Sequence, residues 1–370
     1  MKNYPLASPE VTAEDIKAVT DVLHSSSLSR GPVVKKFETK FCQIIQSKYA
    51  SAVSSGTAGL IIALQALGVA AGDEVITVSF TVPATVNSIV ATGATPVMVD
   101  IETETYGMCP LALQQAITEK TKAIIVVHAF GKAAQINKII SIGKKYNIKV
   151  IEDACEAIGN RYQDKPLGSL ADIGVFAFYP NKQITTGEGG MLVTNNKTLH
   201  QQFEILRNHG RSMNGDLYDQ ISFGWNFRMS DINAALGLSQ LNRIKQIITK
   251  RQQIAKYYNQ RLSPIDKIKC PRFSEQETHS AWFVYVIQLN HRDSVMSRLQ
   301  NNNIQCGRYF APVHLQPYYQ SQYPHKILKN TELIAKQCLA LPYYNQLKKQ
   351  DIAIICDNLL KKYHLITFFC

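Results

Sequence analysis

Between residues 74 and 194 short apolar runs alternate with longer stretches in which apolar residues recur at helical spacing. The runs are Glu74–Val78, Pro96–Asp100, Ala123–Val127, Lys149–Glu152, Gly174–Ala177 and Met191–Thr194. Short continuous runs rich in Val and Ile predict strands buried on both faces. Helices are predicted to start near Gly56, Ala84, Pro110 and Ala133. Strand–helix alternation of this kind predicts an α/β domain around a mostly parallel sheet.

Residues 230 to 260, from Ser230-Asp-Ile-Asn to Lys256-Tyr-Tyr, predict one long helix. Beyond about residue 262 the pattern changes to a smaller α+β region, with a strand at Trp282–Ile287. The first 30 residues hold one short helix, Glu10 to Leu23, and are expected to cross back over the rest. The expected division is an N-terminal arm (1–30), a large domain (31–245) and a small C-terminal domain (246–370), joined by the long helix.

A length of 370 residues accommodates both domains. Hydrophobic content of 45% and charged content of 18% fit an ordinary globular chain. No apolar run is long enough to span a bilayer, and the start Met1-Lys-Asn-Tyr-Pro-Leu-Ala has no signal-peptide core. The eight cysteines (Cys42, Cys109, Cys155, Cys270, Cys306, Cys338, Cys356, Cys370) form no Cys-x-x-Cys and suggest no metal site. They read as reduced thiols, which points to the cytoplasm. The net charge of +12 is spread over short pairs such as Lys35-Lys36 and Lys361-Lys362, without interleaved aromatics. That disfavours a nucleic-acid surface and weakly favours phosphate-bearing substrates.

Three segments carry candidate chemistry. Asp153 ends an apolar strand, where ligands of open α/β sheets bind. Lys182 follows the bulky run Val175–Tyr179 and precedes the glycine-rich Thr185-Thr-Gly-Glu-Gly-Gly190, whose glycines permit a tight turn and close approach to a flat cofactor. This pair suits pyridoxal phosphate (PLP): the amine condenses with the cofactor aldehyde, and the carboxylate keeps the pyridine nitrogen protonated. Ser54-Ser55-Gly56-Thr57 opens an apolar helix, so its free N–H groups would cradle a phosphate; it also reads as an ordinary helix cap. His128, His209 and His314 fit no metal spacing and read individually as structural residues.

Taken together, these segments resemble the DegT/DnrJ/EryC1/StrS family of sugar aminotransferases. The resemblance runs over nearly the whole chain. It includes Ser29-Arg-Gly-Pro32, Ser55-Gly-Thr57, Ser79-Phe-Thr-Val-Pro-Ala-Thr-Val-Asn87, Gly93–Asp100 and Val127-His-Ala-Phe-Gly131. It continues through Ile151-Glu-Asp-Ala154, Lys182 with its glycine-rich turn, Arg207-Asn-His-Gly210, Trp225-Asn-Phe-Arg-Met229, Gly307-Arg-Tyr-Phe310 and Pro312–Pro317. It implies the fold-type I PLP architecture, with a mostly parallel seven-stranded sheet and a smaller C-terminal α+β domain.

The resemblance also implies roles. Lys182 would be the cofactor-bearing lysine and proton carrier, and Asp153 the pyridinium partner. Ser55, Gly56 and Thr57 would contact the phosphate, with Val82 and Glu156 beside the cofactor. The active site would be shared across a homodimer, Asn226 or Arg228 reaching the partner's cofactor phosphate. Ser29, His209, Arg308, Tyr309 and His314 lie in segments that surround the substrate in such enzymes. The implied reaction is amination of a nucleotide-linked keto-sugar, with L-glutamate as donor and 2-oxoglutarate as by-product. Its product would serve surface polysaccharide, lipopolysaccharide or glycoside synthesis. No nucleic acid, membrane or metal is implied.

Three positions depart from the family pattern. Ala177 stands where the family often has a phosphate-binding Ser, Val82 where an aromatic often stacks on the ring, and Glu156 where Gln or His is common. The rivals are a sugar dehydratase of the same family, disfavoured because Lys182 is kept where those enzymes carry His, a cyclitol aminotransferase, and a silent PLP- or nucleotide-sugar-binding protein.

Overall fold

The computed structural model describes residues 2–212, 219–323 and 326–364, side chains included up to 361. Its strands, in chain order, are β1 Tyr49–Val53, β2 Glu74–Val78, β3 Thr95–Val99, β4 Thr121–Val127, β5 Lys149–Asp153, β6 Arg161–Tyr162, β7 Lys165–Pro166, β8 Ile173–Ala177, β9 Gly190–Thr194, β10 Ile268–Lys269, β11 Tyr285–Leu289 and β12 Cys338–Leu341. Seven of them form the central sheet in the order β1-β9-β8-β5-β4-β2-β3. The pairs β2–β3, β2–β4, β4–β5 and β5–β8 are parallel. Only β9, which returns beside β8 and pairs with β1, runs antiparallel to its neighbours.

Burial on both faces explains the unbroken apolar runs. Ile124, Val126, Val150, Phe176 and Val193 point into one core, while Ile125, Ile151, Val175 and Leu192 point into another. Full burial of each such side chain contributes about 1.5–3 kcal/mol.

Four helices open the chain: α1 Ala13–Leu23, α2 Pro32–Ile45, α3 Gly56–Ala66 and α4 Pro83–Ala91. α3 is apolar all round, with Leu60 to Leu64 buried, as a helix enclosed on every side must be. A Cβ at Gly59 would lie 2.8 Å from a Val175 methyl, so glycine lets α3 approach the sheet.

A second core gathers around the three-stranded sheet β10-β11-β12. The N-terminal segment does cross back: Tyr4 sits in this core and exchanges backbone hydrogen bonds of 2.9 Å with Asn303 and Gln305. The helix Ile244–Leu262 serves both cores, giving Ile244, Ile247 and Ile248 to the first and Ile254, Ala255, Tyr258 and Leu262 to the second.

Four expectations need correction. The opening helix expected from Glu10 starts at Ala13, after the cap residue Thr12. The single helix over 230–260 is two, Asp231–Asn242 and Ile244–Leu262. The break is at Arg243, whose guanidinium is bound to Glu10 at 2.8 and 3.0 Å and to Asp15 of α1 at 2.7 Å. The helix expected near Ala133 starts at Ile136. The preceding N–H groups are occupied elsewhere, Ala133 with Glu277 (2.7 Å) and Ala134 with His128 Nδ1 (3.2 Å). The strand expected from Trp282 starts at Tyr285. Trp282 has φ 51°, and Arg251 donates at 2.7 Å to the carbonyls of both Trp282 and Phe283, which removes them from ladder pairing.

Candidate active site

The two-residue period of β5 sends Val150 and Glu152 to one face and Ile151 and Asp153 to the other. Asp153, the last strand residue, is buried. Its Oδ2 accepts from Thr85 Oγ at 2.8 Å and its Oδ1 from the Cys155 N–H at 3.2 Å. Thr85 lies in the first turn of α4, so the segment after β2 fixes the orientation of this carboxylate.

Lys182 leaves β8 through Tyr179-Pro-Asn-Lys182, closed by the Lys182 N–H donating to the Tyr179 carbonyl at 2.9 Å. Proline at the second position suits such a turn. The following loop is pinned by the Thr186 N–H (3.0 Å) and Thr185 hydroxyl (2.9 Å), both donating to the Phe178 carbonyl. Gly187 takes φ 78°. The close approach expected of these glycines is to the chain itself: a Cβ on Gly190 would lie 2.6 Å from the Ser55 carbonyl oxygen.

Lys182 Nζ lies 3.4 Å from Glu156 Oε1 and 4.3 Å from the ring centre of Phe283, and its side chain is 10% exposed. The other oxygen, Glu156 Oε2, accepts from the Phe130 N–H at 2.8 Å. Burial pushes the Glu156 carboxyl up, and the charge of Asp153 adds to this; Lys182 and the Phe130 N–H oppose it. Burial and Asp153 likewise push the Cys155 thiol well up, keeping it neutral at pH 7. Tyr309, 3.5 Å from the Asn181 amide nitrogen, is raised by burial and by Glu156.

The start of α3 faces this cluster. Ser55 caps the helix, its Oγ accepting from the Ala58 N–H at 3.1 Å. The N–H groups of Gly56 and Thr57 have no acceptor inside the helix. A Cβ at Gly56 would lie 2.7 Å from Ala177 Cβ and 3.0 Å from Cys155 Sγ. Small side chains therefore let the helix start pack directly against Ala177, at the end of β8, and Cys155, just after β5. Val82, the cap residue of α4, is 37% exposed.

A second group stands at the rim. Ser29 pairs with Ser230, Asn208 with Asn226, and Val53 with Arg228. This lays the 226–228 segment beside the strand that leads into α3. Arg228 donates to Asn208 at 2.9 Å. Desolvation, then Arg228, Arg211 and Arg30, push the His209 imidazole down; desolvation, then Arg30 and Arg211, lower Arg228. Arg30 and Arg228 line a cavity of about 190 Å³ with Arg207, Glu38 and Glu204. Arg207 pairs with both of those carboxylates, at 2.7 and 2.6 Å. Arg30 and Arg228 have no carboxylate partner among the described residues.

Of the expected substrate residues, Tyr309 is brought to the Lys182 cluster. Arg308 is not: it is exposed and pairs with Asp293 at 3.0 Å. His314 is buried against Ser79, with 2.6 Å between Nδ1 and the hydroxyl, and lies 3.4 Å from Glu332. Thr85, Asn181, Phe283 and the Phe130 N–H belong to the site without having been singled out from sequence. Thr85 and Phe130 lie inside segments that carry the family resemblance. Nothing in the sequence pattern tied Phe283, which lies far downstream in the chain, to Lys182.

The residues fit a pyridoxal phosphate. A buried acid, a buried amine and free helix N–H groups converge from different elements, and the Asn181 Oδ1 is buried without a hydrogen-bond partner. Among the described residues no cluster is suited to a metal ion, and no helix is long and apolar enough to cross a membrane. The described cysteines are all free, and Cys370 lies outside the described residues.

A sequence model of the DegT/DnrJ/EryC1/StrS aminotransferase family matches residues 9–360. The spore coat polysaccharide biosynthesis protein SpsC of Bacillus subtilis is 36% identical, with 94% of each chain covered. Among solved structures, the Helicobacter pylori aminotransferase PseC, involved in pseudoaminic acid biosynthesis, superimposes with a TM-score of 0.92 at 29% identity, covering 98% of this chain and 100% of that one. The PLP form of a putative sugar aminotransferase, Spr1654 of Streptococcus pneumoniae, gives 0.91 at 28% identity over 97% and 98%.

Proposed function

We propose that this chain, which belongs to the DegT/DnrJ/EryC1/StrS family and is a PLP-dependent sugar aminotransferase, aminates a keto-sugar carried on a nucleoside diphosphate, with L-glutamate as donor. The observation that carries the site assignment is the convergence of Asp153, Lys182 and the start of α3 at the C-terminal ends of β5 and β8.

When bound, the cofactor carries the amino group from donor to acceptor and delocalises the electron pair left on the substrate carbon. Lys182 Nζ would hold the cofactor by its aldehyde carbon and would take and return the proton at the substrate carbon. Asp153 holds a proton on the ring nitrogen, and Thr85 keeps its carboxylate aimed there. The Gly56 and Thr57 N–H groups, at the positive end of α3, bind the phosphate, with Ser55 beside them. Val82 would offer the cofactor ring an aliphatic contact without aromatic stacking. Phe283 and Tyr309 close the site from the small domain and exclude water from Lys182.

The nucleotide part of the reading is supported by the rim. Arg30, Arg211 and Arg228 gather positive charge around His209 beside the α3 start, which suits a diphosphate. Ser29 lies on the same edge. A shared dimeric site is supported by the same region: Ile221 and Phe223, 62% and 60% exposed, lie just before Asn226 on a segment that a second copy would cover.

The test is the absorbance of the protein with PLP before and after L-glutamate, followed by a screen of keto-sugar nucleotides against the aminated enzyme. A visible band that bleaches with glutamate, and returns with a keto-sugar nucleotide but not with the free sugar, is expected. A band indifferent to glutamate removes that donor, and equal response to the free sugar removes the nucleotide.

A further inference from the structure

Glu156 is not used by the chemistry above, yet it is the closest charged group to Lys182. It is the one carboxylate within 4.0 Å of Nζ among the described residues. A lysine that condenses with an aldehyde must first lose its ammonium proton, and in a buried site that proton needs an acceptor. We infer, on the reading of Lys182 given above, that Glu156 Oε1 is that acceptor and that it retains the proton after the cofactor is captured.

The step balances within the pair. The ammonium proton moves from Nζ to Oε1, and the freed nitrogen pair attacks the aldehyde carbon. A carbon–nitrogen double bond replaces the carbonyl, and the carbonyl oxygen leaves as water with the two remaining amine hydrogens. No oxidant or reductant is needed.

The groups that face Glu156 favour this assignment. From the end of β5 come Asp153 and Cys155, from the loop after β8 Lys182, from the small domain Tyr309, and from the segment after β4 the Phe130 N–H. Cys155 and Tyr309 are pushed up, so both are neutral and neither is a base at pH 7. Asp153 already accepts from Thr85 and Cys155. Burial favours a protonated Glu156, and the charge on Asp153 favours it further. Position explains why the proton stays. β4 and β8 flank β5 on opposite sides, which puts Glu156, tied to Phe130, on the β4 side and the Gly56–Ala177 cradle on the β8 side. On the cofactor, the phosphate arm and the phenol flank the aldehyde on opposite sides. Glu156 therefore stands on the phenol side, where a neutral carboxyl avoids repelling a phenolate.

The experiment follows cofactor capture by cofactor-free enzyme at pH 6 to 8, by absorbance, for wild type and Glu156→Gln. Gln keeps an oxygen for the Phe130 N–H but cannot take the proton. In the wild type the reacting form carries the same total of protons as the resting ion pair, so capture is expected to be flat with pH relative to a free-amine standard. In the variant the proton must leave to solvent, and the rate is expected to fall roughly tenfold per pH unit of acidification, the slope for loss of one proton. Borohydride reduction and peptide mass spectrometry locate the captured cofactor. Label absent from Lys182 defeats the lysine assignment, separately from the proton role. A wild-type rate that itself falls tenfold per unit, or a wild-type to variant ratio constant with pH, overturns the inference whether or not the variant folds well.

Discussion

Glu152 and Glu156 are both buried and stand four positions apart, yet their surroundings differ in kind. Glu152 accepts three backbone N–H groups, from Gly168 (2.8 Å), Leu170 and Ala171 (both 2.7 Å), and pairs with His128 Nε2 at 3.0 Å. His128 is itself committed, because its Nδ1 accepts from the Ala134 N–H. Every oxygen is satisfied, and the cluster ties the loop after β7 to the segment after β4. Glu156 has one backbone donor and a lysine at 3.4 Å. A closed polar network stabilises and fixes geometry, whereas an under-satisfied one, beside an orphaned Asn181 oxygen, is poised for a ligand. His128, which sequence reading left as structural, belongs to the first kind.

The largest break in this comparison comes from the open side. Lys182→Ala is expected to lose at least about 10⁴-fold in transamination, the scale seen when a covalent nucleophile is removed. The lysine-dependent visible band should vanish as well. Thermal melting of the cofactor-free protein should move little, and a variant that kept the band would sink the lysine assignment. Asp153→Asn comes next, with a rate loss of about 10²–10³-fold, since a neutral amide cannot hold the ring nitrogen protonated. Retention of cofactor through gel filtration should weaken. Unchanged turnover would mean that another acid serves the ring.

The closed side should respond in the other currency. Glu152→Gln turns an amide NH₂ toward backbone donors and removes the charged acceptor from all three of them. The expected cost is about 2–4 kcal/mol, read as a lower urea midpoint, with turnover per folded molecule retained. Loss of turnover without loss of stability would erase the distinction between the two carboxylates.

What was legible in the sequence follows the same division. Asp153 and Lys182 could be read because strand end, apolar run and glycine turn are local signals. Glu156 stood out only as a departure from the family, and its partner could not be read: the Phe130 N–H belongs to a residue with φ 61° in a loop after another strand. The helix break at Arg243 was invisible for a related reason. Helical periodicity continues through it, and the carboxylates that hold the Arg243 side chain at the break lie more than two hundred residues upstream. Arg308 and Tyr309 show the limit of segment-level reading, since neighbours in one motif turn to different surroundings.

The rim gives the smallest effects and sharpens the comparison most, because its charges are neither closed nor buried. Arg228 lies on the segment expected to reach a partner's cofactor phosphate. Arg228→Ala should therefore weaken cofactor retention about tenfold, the scale of one charge-assisted hydrogen bond, and raise the KM for a nucleotide-linked substrate as well. Arg30 sits farther out and is exposed, so Arg30→Ala should raise the KM for a nucleotide-linked substrate only a few-fold and leave kcat alone. That few-fold effect should shrink as salt rises from 0.05 to 0.5 M, because an exposed charge at this distance acts through screened attraction. An Arg30 effect that is independent of salt would place this arginine in direct, desolvated contact with the substrate, and the rim would then belong with the buried site rather than apart from it.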